Sequence, residues 1–318
     1  MKRLLAACAV LAAAARLAAP AAAQVHPDVI YGDDGRQDVY QTTDPRLRAL
    51  ADSTVALFQA SDVTETNGVA RLATRTFGED MGLCKEEPFY DQPVGAFCSG
   101  SLVAPDVIMT AGHCVTSADD CRGVKFVFGF AVKAAGAMPT SVPAADVYGC
   151  RELIGRRQDN AGADWALVRL DRRVAGHAPL ALNLSGAIAK GTPVLVIGHP
   201  SGLPTKIDGG AAVRDSSNPG YFVANLDTYG GNSGSAVFNA ATGLVEGILV
   251  RGEQDFVYDS ARKCRVSNRC PDDGCRGEDV TKIAEVAGRI PASRVRARAA
   301  ELQPGIAAAL ASLEAARP

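Results

Sequence analysis

The chain alternates short apolar runs with turn-forming residues. The runs are rich in Val, Ile, Phe and Tyr, and Gly, Pro, Asn and Asp separate them. They predict β-strands at residues 97–103, 107–110, 124–130, 165–170, 193–197, 221–226, 235–238 and 246–250. Many short strands with frequent turns and few helical periods are typical of a β-sandwich or a β-barrel.

Two segments do not follow this pattern. Residues 49–60 have apolar positions that fit either a helix or a strand. From residue 281 onward Ala, Arg, Glu and Leu dominate, with helical spacing around Ile306, Leu310 and Leu313. We expect this tail to begin with a helix packed on the β-domain and to end frayed. A processed or partner-binding extension is the alternative.

The N-terminus predicts export. Residues 1–3 are basic, residues 4–19 are mostly apolar, and the AAA run at 21–23 offers a cleavage site. Arg16 interrupts the apolar run, and no later segment approaches the length of a membrane span. A lipoprotein acylation box at Cys8 is a weaker reading, because it precedes any hydrophobic region. We therefore expect residues 1–23 to be a signal peptide and the protein to be secreted or periplasmic.

Cysteine content and net charge exclude further classes of protein. Of nine cysteines, Cys8 lies in the signal, which leaves an even set that reads as disulfides in an exported chain. No cysteine and histidine spacing suits zinc. A net charge of −2 provides no basic field for nucleic acid. The length of 318 residues suits one enzyme of two subdomains with a sizeable core.

Three segments carry residues of one kind of chemistry. They are TAGHC at 110–114, DWALVRL at 164–170 and GGNSGS at 230–235. A serine hydroxyl becomes nucleophilic when an imidazole takes its proton, and a carboxylate must orient that imidazole. His113, Asp164 and Ser233 supply these groups. Their order differs from that of an α/β-hydrolase and matches the chymotrypsin-like order.

Other residues compete for these roles. Among the histidines, His26 lies in the N-terminal extension and His177 in an expected linker, while His199 precedes Pro200 in a turn-like segment. Asp159 rivals Asp164, but its Gln-Asp-Asn-Ala-Gly context is more typical of a solvated turn.

On these motifs the chain resembles the trypsin/chymotrypsin superfamily of serine endopeptidases, and in particular its bacterial glutamyl-endopeptidase-like (V8-like) branch. The similarity covers roughly residues 29–285, and Val29 resembles the start of the mature domain. The resemblance implies an all-β fold of two six-stranded antiparallel barrels with a C-terminal helix. It also implies an oxyanion hole formed by the amides of Gly231 and Ser233.

The resemblance divides the chain into five parts. Residues 24–44 would be an N-terminal extension, with 24–28 a short propeptide if the mature chain starts at Val29. Residues 45–175 would form the first barrel, 176–285 the second, and 286–318 a helical tail. Asn232 replaces the aspartate that pairs with the new N-terminus in trypsin-like zymogens, so that activation switch is not expected here.

The resemblance also suggests disulfides. Cys98 and Cys114 would form the bridge that braces the catalytic histidine loop in relatives. A weaker expectation joins Cys121 to Cys150. Cys84 would then pair with one of three late cysteines, and the other two would pair locally: Cys264, Cys270 and Cys275.

Substrate preference at P1, the residue before the scissile bond, stays open between three alternatives. Leu249 stands where glutamyl endopeptidases carry a histidine, whereas Asp227 stands where trypsin-like enzymes carry the aspartate of the pocket floor. Arg or Lys bound by Asp227 therefore ranks first. If Arg251 neutralises Asp227 the preference becomes small or apolar, and an acidic P1 bound by Arg251 is the third option. The expected substrate-binding residues are Asp227, Thr228, Leu249, Val250 and Gly252.

The sequence thus predicts a secreted, monomeric serine endopeptidase that acts on proteins or peptides. No cofactor and no metal ion is expected, because the Asp pairs at 33–34 and 272–273 lack the spacing of a calcium loop. A catalytically silent binding or adhesion module on the same fold is the rival from another class, although it would normally have lost a triad residue. The motif order makes an esterase or lipase a weaker alternative.

Overall fold

A computed structural model describes residues 29–290 of the chain. Its core is two closed six-stranded antiparallel barrels. The first barrel comprises, in neighbour order, Val124–Phe128, Val147–Gln158, Asp164–Leu170, Val107–Thr110, Cys98–Ala104 and Thr54–Gln59, and the last strand pairs with the first. The second comprises Pro193–Gly198, Ala236–Asn239, Val245–Arg251, Glu278–Lys282, Tyr221–Ala224 and Lys206–Asp215, closed in the same way.

Smaller elements surround the barrels. The short strands are Ile30–Tyr31, Gln37–Asp38, Val63–Thr66, Val69–Leu72, Arg75–Thr76, Pro93–Val94, Ser141–Pro143, Phe256–Asp259, Cys264–Ser267 and Arg269–Cys270. The α-helices are Pro45–Asp52, Phe77–Met81, Ala118–Arg122 and Ala284–Ala287. The 3₁₀ turns are Val39–Gln41, Ala60–Asp62, Ala144–Asp146 and Pro200–Gly202. No helix within residues 29–290 is long and apolar enough to cross a membrane.

Residues 49–60 contain both of the structures that the pattern allowed. The side chain of Asp44 accepts a hydrogen bond from the Arg46 N–H at 2.7 Å, and Pro45 occupies the first turn, so a helix starts here. The helix ends at Asp52, and the strand begins at Thr54 with a run of buried residues. Apolar periodicity could not separate the two because the junction falls inside the window.

The two barrels share one continuous apolar core. Trp165 and Phe126 from the first barrel belong to the same buried cluster as Leu195, Phe238 and Ile248 from the second. Burial of such side chains is typically worth about 1.5–3 kcal/mol each. The contact between the barrels is therefore fixed by packing, which a site assembled from both barrels requires.

The N-terminal segment packs on the second barrel rather than extending from it. Ile30–Tyr31 pairs with Arg269–Cys270, and Gln37–Asp38 adds to the edge of Lys206–Asp215. Val29 is fully buried. The expected signal peptide, the 24–28 propeptide and the tail beyond residue 290 lie outside the described residues.

Four disulfide bonds cross-link the described residues. Cys98 is bonded to Cys114 and Cys121 to Cys150, as the sequence analysis expected. Cys84 is bonded to Cys264, and the two remaining cysteines form the local pair Cys270–Cys275.

Candidate active site

His113 sits in the turn that follows the strand Val107–Thr110. The bond between Cys114 and Cys98 ties this turn to the neighbouring strand. A Cβ atom on Gly112 would lie 2.2 Å from the carbonyl oxygen of Arg157, so only glycine fits beneath the turn. The His113 side chain is 22% exposed, which leaves its ring accessible from one side.

Asp164 is the first residue of the strand Asp164–Leu170 and is buried. Its Oδ2 lies 2.8 Å from Nδ1 of His113, while Oδ1 accepts the N–H of Gly112 at 2.5 Å. The Thr281 hydroxyl, from the second barrel, donates to the Asp164 carbonyl at 2.9 Å. A buried ionised carboxylate in this position holds a proton on Nδ1 and leaves Nε2 free to accept one.

Ser233 lies in the tight turn before the strand Ala236–Asn239 of the second barrel. Its carbonyl oxygen accepts the N–H of Ser99 at 2.8 Å and lies 3.7 Å from Sγ of Cys114, the residue after His113. Gly234 has φ of +93°, and a Cβ there would lie 2.0 Å from the Ser99 carbonyl oxygen. The structure therefore brings two turns together across the two barrels. One is the turn at 230–235 that carries Ser233 (the serine turn), and the other is the turn that carries His113 (the histidine turn).

Two backbone amides of the serine turn are open, in the sense that their N–H groups have no protein acceptor in the described part of the chain. Among residues 29–290, the N–H groups of Gly231 and Ser233 donate to no protein acceptor. The Asn232 carbonyl accepts the N–H of Ser235 at 3.0 Å, and across a trans peptide the N–H of Ser233 must point the opposite way. Two open amides on a glycine-rich turn can stabilise an oxyanion.

Asn232 braces this turn from inside. Its Nδ2 donates to the Thr228 hydroxyl at 2.5 Å, and its Oδ1 accepts the Ser235 hydroxyl at 2.8 Å. The residue is buried and uncharged, so it fixes the turn by hydrogen bonds alone.

The structure gives Asp227 two partners that the sequence did not predict. Its Oδ1 accepts the N–H of Tyr31 at 2.7 Å, and its Oδ2 accepts the N–H of Gly35 at 2.8 Å. Both carboxylate oxygens thus hold the N-terminal segment, and the residue is buried. Binding of a P1 Arg or Lys by Asp227 stays a prediction, and such a side chain would compete with these two N–H groups.

Asp227 is buried next to a second carboxyl group, that of Asp208. Burial raises the pKa of Asp227 to about 7, although the N–H groups of Gly35 and Tyr31 lower it. Burial, together with the charge of Asp227, also raises the pKa of Asp208, whose Oδ2 accepts the N–H of Asp227 at 3.1 Å. These carboxyl groups face the second barrel and the N-terminal segment.

Arg251 likewise differs from the expectation that it neutralises Asp227. Its Nε donates to Asp279 at 3.0 Å, and its NH2 group donates to the Gly162 carbonyl at 2.7 Å. The guanidinium is therefore already paired within the fold, and an acidic P1 bound by Arg251 stays a prediction.

The other expected pocket residues lie beside the serine turn. Leu249 donates its N–H to the Ser235 carbonyl at 3.0 Å and accepts the N–H of Gly234 at 2.8 Å. Thr228, Val250 and Gly252 are also buried. None of these four residues carries a charge.

The rival residues have other partners. His177 stacks on Phe128 with ring centroids 4.3 Å apart, and its Nδ1 lies 2.8 Å from Asp52. Asp159 is partly exposed and pairs with Arg157. His199 is buried, and burial lowers its pKa to about 4, so the ring is neutral at pH 7.

Sequence reasoning missed several residues that build the site. Ser99 and Thr281 are buried small polar residues in strands, and no motif marks them. Arg36 is also buried, with its guanidinium 3.9 Å from the Tyr229 ring and donating to the Tyr229 hydroxyl at 2.9 Å. An arginine close to an aspartate near the expected mature N-terminus is a weak signal in sequence.

One group of potential metal ligands lies at the site, namely Cys98, His113 and Cys114. Both cysteines are bonded to each other, so neither offers a thiolate. These residues do not suit a metal ion.

The chain is similar to known proteins over part of its length. Residues 98–248 match the family profile of the trypsin-like peptidase domain. A glutamyl endopeptidase of Bacillus licheniformis is 29% identical over 154 residues, which is 46% of this chain and 46% of that protein. The chain thus aligns with less than half the length of this curated relative.

Solved structures of similar shape include a Glu endopeptidase in complex with MPD, at 17% identity and a TM-score of 0.46. It covers 84% of this chain and 100% of its own. The Rv3671c protease in an inactive form has 15% identity and a TM-score of 0.43, covering 78% and 92%.

Residues 98–248, which include His113, Asp164 and Ser233, thus resemble a trypsin-like peptidase domain. The sequence similarity to a glutamyl endopeptidase agrees with the resemblance of the motifs to the V8-like branch.

Proposed function

We propose that the protein is a serine endopeptidase that cleaves peptide bonds through an acyl-enzyme. The observation that carries the proposal is the buried Asp164 carboxylate on Nδ1 of His113, beside a serine turn with two open amides. This arrangement has the three parts that acyl transfer needs: a base, an orienting carboxylate and oxyanion donors.

In the proposed reaction, Oγ of Ser233 attacks the substrate carbonyl while Nε2 of His113 takes its proton. The amides of Gly231 and Ser233 receive the developing oxyanion, and such a donor is typically worth about 2.7–4 kcal/mol. His113 then gives the proton to the leaving amine as the C–N bond breaks. Water, activated by the same imidazole, hydrolyses the acyl-enzyme and restores Ser233.

For P1 we propose an uncharged, small or apolar side chain. Asp227 and Arg251 are engaged by the N-terminal segment and by Asp279, so no free charge remains at these positions. Leu249 and Val250 are apolar and buried beside the serine turn. The preference therefore differs from what the name of the Bacillus licheniformis relative indicates for that protein.

We also propose that the protein works outside the cytoplasm. Four disulfides suit an oxidising compartment, and the N-terminal sequence has the pattern of a secretory signal.

A fluorophosphonate probe tests the proposal against the rival binding module. The exported protein should be labelled on Ser233, as located by peptide mass spectrometry, and the label should be absent from His113→Ala. A folded protein that hydrolyses no peptide and takes no label is the result expected of a binding module.

A peptide series that differs only at P1 tests the preference. Peptides with Ala, Val or Leu should have a higher kcat/KM than those with Arg or Glu. A tenfold preference for Arg, Lys or Glu would refute the uncharged pocket without touching the peptidase assignment.

A further inference from the structure

Ser201 combines features that the proposed mechanism leaves unused. It lies in the 3₁₀ turn Pro200–Gly202, directly after the strand Pro193–Gly198. Its backbone is left-handed, with φ of 51° and ψ of 21°, a conformation that favours glycine. Its hydroxyl oxygen is buried and has no hydrogen-bond partner among the described residues. Strained backbone of this kind persists where the surrounding structure requires it.

The backbone N–H of Ser201 contacts the serine turn. It donates to the carbonyl oxygen of Gly230 at 2.6 Å. That carbonyl belongs to the same peptide group as the N–H of Gly231. The peptide is trans, since residues 29–290 contain no cis bond, so its N–H points away from Ser201. The hydrogen bond therefore selects the orientation in which the Gly231 amide is open.

Nothing in the Gly230–Gly231 sequence fixes this orientation by itself. Neither residue has a side chain, and glycine adopts positive and negative φ with similar ease. Gly231 has φ of +88°, and a Cβ there would lie 3.0 Å from the backbone nitrogen of Gly202. The turn at 200–202 is thus packed directly against the peptide group that joins Gly230 and Gly231.

Further hydrogen bonds hold the backbone groups on either side of the Gly230–Gly231 peptide, namely the Gly230 N–H and the Gly231 carbonyl. The N–H of Gly230 donates to both carboxylate oxygens of Asp255, at 3.1 and 3.2 Å. The Gly231 carbonyl accepts the Ser99 hydroxyl at 3.2 Å, and the oxygen of Ser99 accepts the N–H of His199 at 2.9 Å. The segment from His199 to Ser201 therefore reaches two successive carbonyls of the serine turn.

We propose that Ser201 is a positioning residue for the oxyanion hole: its backbone N–H holds the Gly230 carbonyl, so the Gly231 amide faces the substrate. If the peptide flipped, the Gly230 carbonyl would face the developing oxyanion and repel it. This inference rests on the proposed peptidase function.

Side-chain variants distinguish a role of the Ser201 backbone N–H from a role of its hydroxyl group. Ser201→Gly keeps the N–H and suits the left-handed conformation, so kcat should stay within about threefold of the wild type. Ser201→Val disfavours that conformation because its side chain is β-branched. Its kcat should fall by roughly 10²–10³, the loss seen when one oxyanion donor is removed, with KM within about twofold.

Replacing residue 201 by the α-hydroxy acid analogue of serine removes the N–H and keeps the side chain. This ester variant should lose as much kcat as Ser201→Val, and its inhibition by a peptide aldehyde, which forms a tetrahedral adduct, should weaken in parallel. All rates are divided by the active sites counted in a complete fluorophosphonate titration, so partial misfolding does not mimic the effect.

An ester variant with wild-type kcat would overturn the inference, as would a Ser201→Gly enzyme as slow as the ester. Either result, with an active wild type and an inactive Ser233→Ala, contradicts the role of Ser201 alone. An inactive wild type or an active Ser233→Ala contradicts the peptidase function itself.

Discussion

The backbone N–H of Tyr31 donates to Oδ1 of Asp227 at 2.7 Å, across 196 positions of sequence. With the second bond from Gly35, this carboxyl group anchors the N-terminal segment beside Tyr229, which leads into the serine turn. A hydrogen bond contributes roughly 0.5–1.5 kcal/mol between neutral groups and roughly 1.5–3 kcal/mol to an ionised one, so these two bonds are strongest above the Asp227 pKa of about 7. The anchor is therefore strong enough to order the segment.

Asp227→Ala should release this segment. We expect faster hydrogen exchange at the amides of Tyr31 and Gly35, because their acceptor is gone, and an unchanged ratio of cleavage after Leu and after Arg. Asp273→Asn, at an exposed position, is the control. A selective loss of cleavage after Arg in Asp227→Ala would return Asp227 to the substrate pocket.

Asp164→Asn should lower kcat by about 10⁴ while the fold persists. An asparagine oxygen can still accept the Gly112 amide, but its NH₂ group would face Nδ1 of His113 and force the proton onto Nε2. Asp159→Asn is the matched control, since Asp159 is partly exposed and pairs with Arg157, and its rate should be nearly normal. The reverse ranking, measured by kcat on one peptide, would assign the orienting role to Asp159.

Removing the Cys98–Cys114 bridge should cost about 3 kcal/mol of unfolding free energy, as expected for a loop of about 15 residues. The Cys270–Cys275 bridge spans only five positions and should contribute less, because it restricts the unfolded chain less. Urea denaturation of the two double-alanine variants measures the difference. An equal or larger loss for Cys270→Ala/Cys275→Ala would contradict this ordering.

Acid should destabilise the protein through His199. Its folded pKa of about 4 lies below the usual value of 6.5, so the unfolded chain binds the proton more readily. The free energy of unfolding should therefore fall as pH drops from 6.5 to 4, with a contribution on the order of 3 kcal/mol.

The variant His199→Phe isolates this contribution, because a ring remains to stack on Phe130 and no group titrates. Urea denaturation of both proteins at pH 7 and pH 4 gives the difference in pH dependence. Parallel losses in wild type and variant would rule out His199 as the source.

The sequence predicted most of the barrel strands because their buried residues form short apolar runs. It missed three barrel strands in which charged residues or glycines interrupt the apolar run, namely Val147–Gln158, Lys206–Asp215 and Glu278–Lys282. The triad candidates were found because short motifs mark them. The partners of Asp227 and Arg251 were not predictable, since they depend on which distant backbone amides and carboxylates the fold places beside them.

The central claim is that Ser233, His113 and Asp164 act as one catalytic unit. Its most direct test is kcat for peptide hydrolysis by Ser233→Ala, His113→Ala and the double variant. Each single change should lower kcat by roughly 10⁶, and the double variant should be little worse, because the groups act together. Substantial hydrolysis by folded Ser233→Ala would contradict the account.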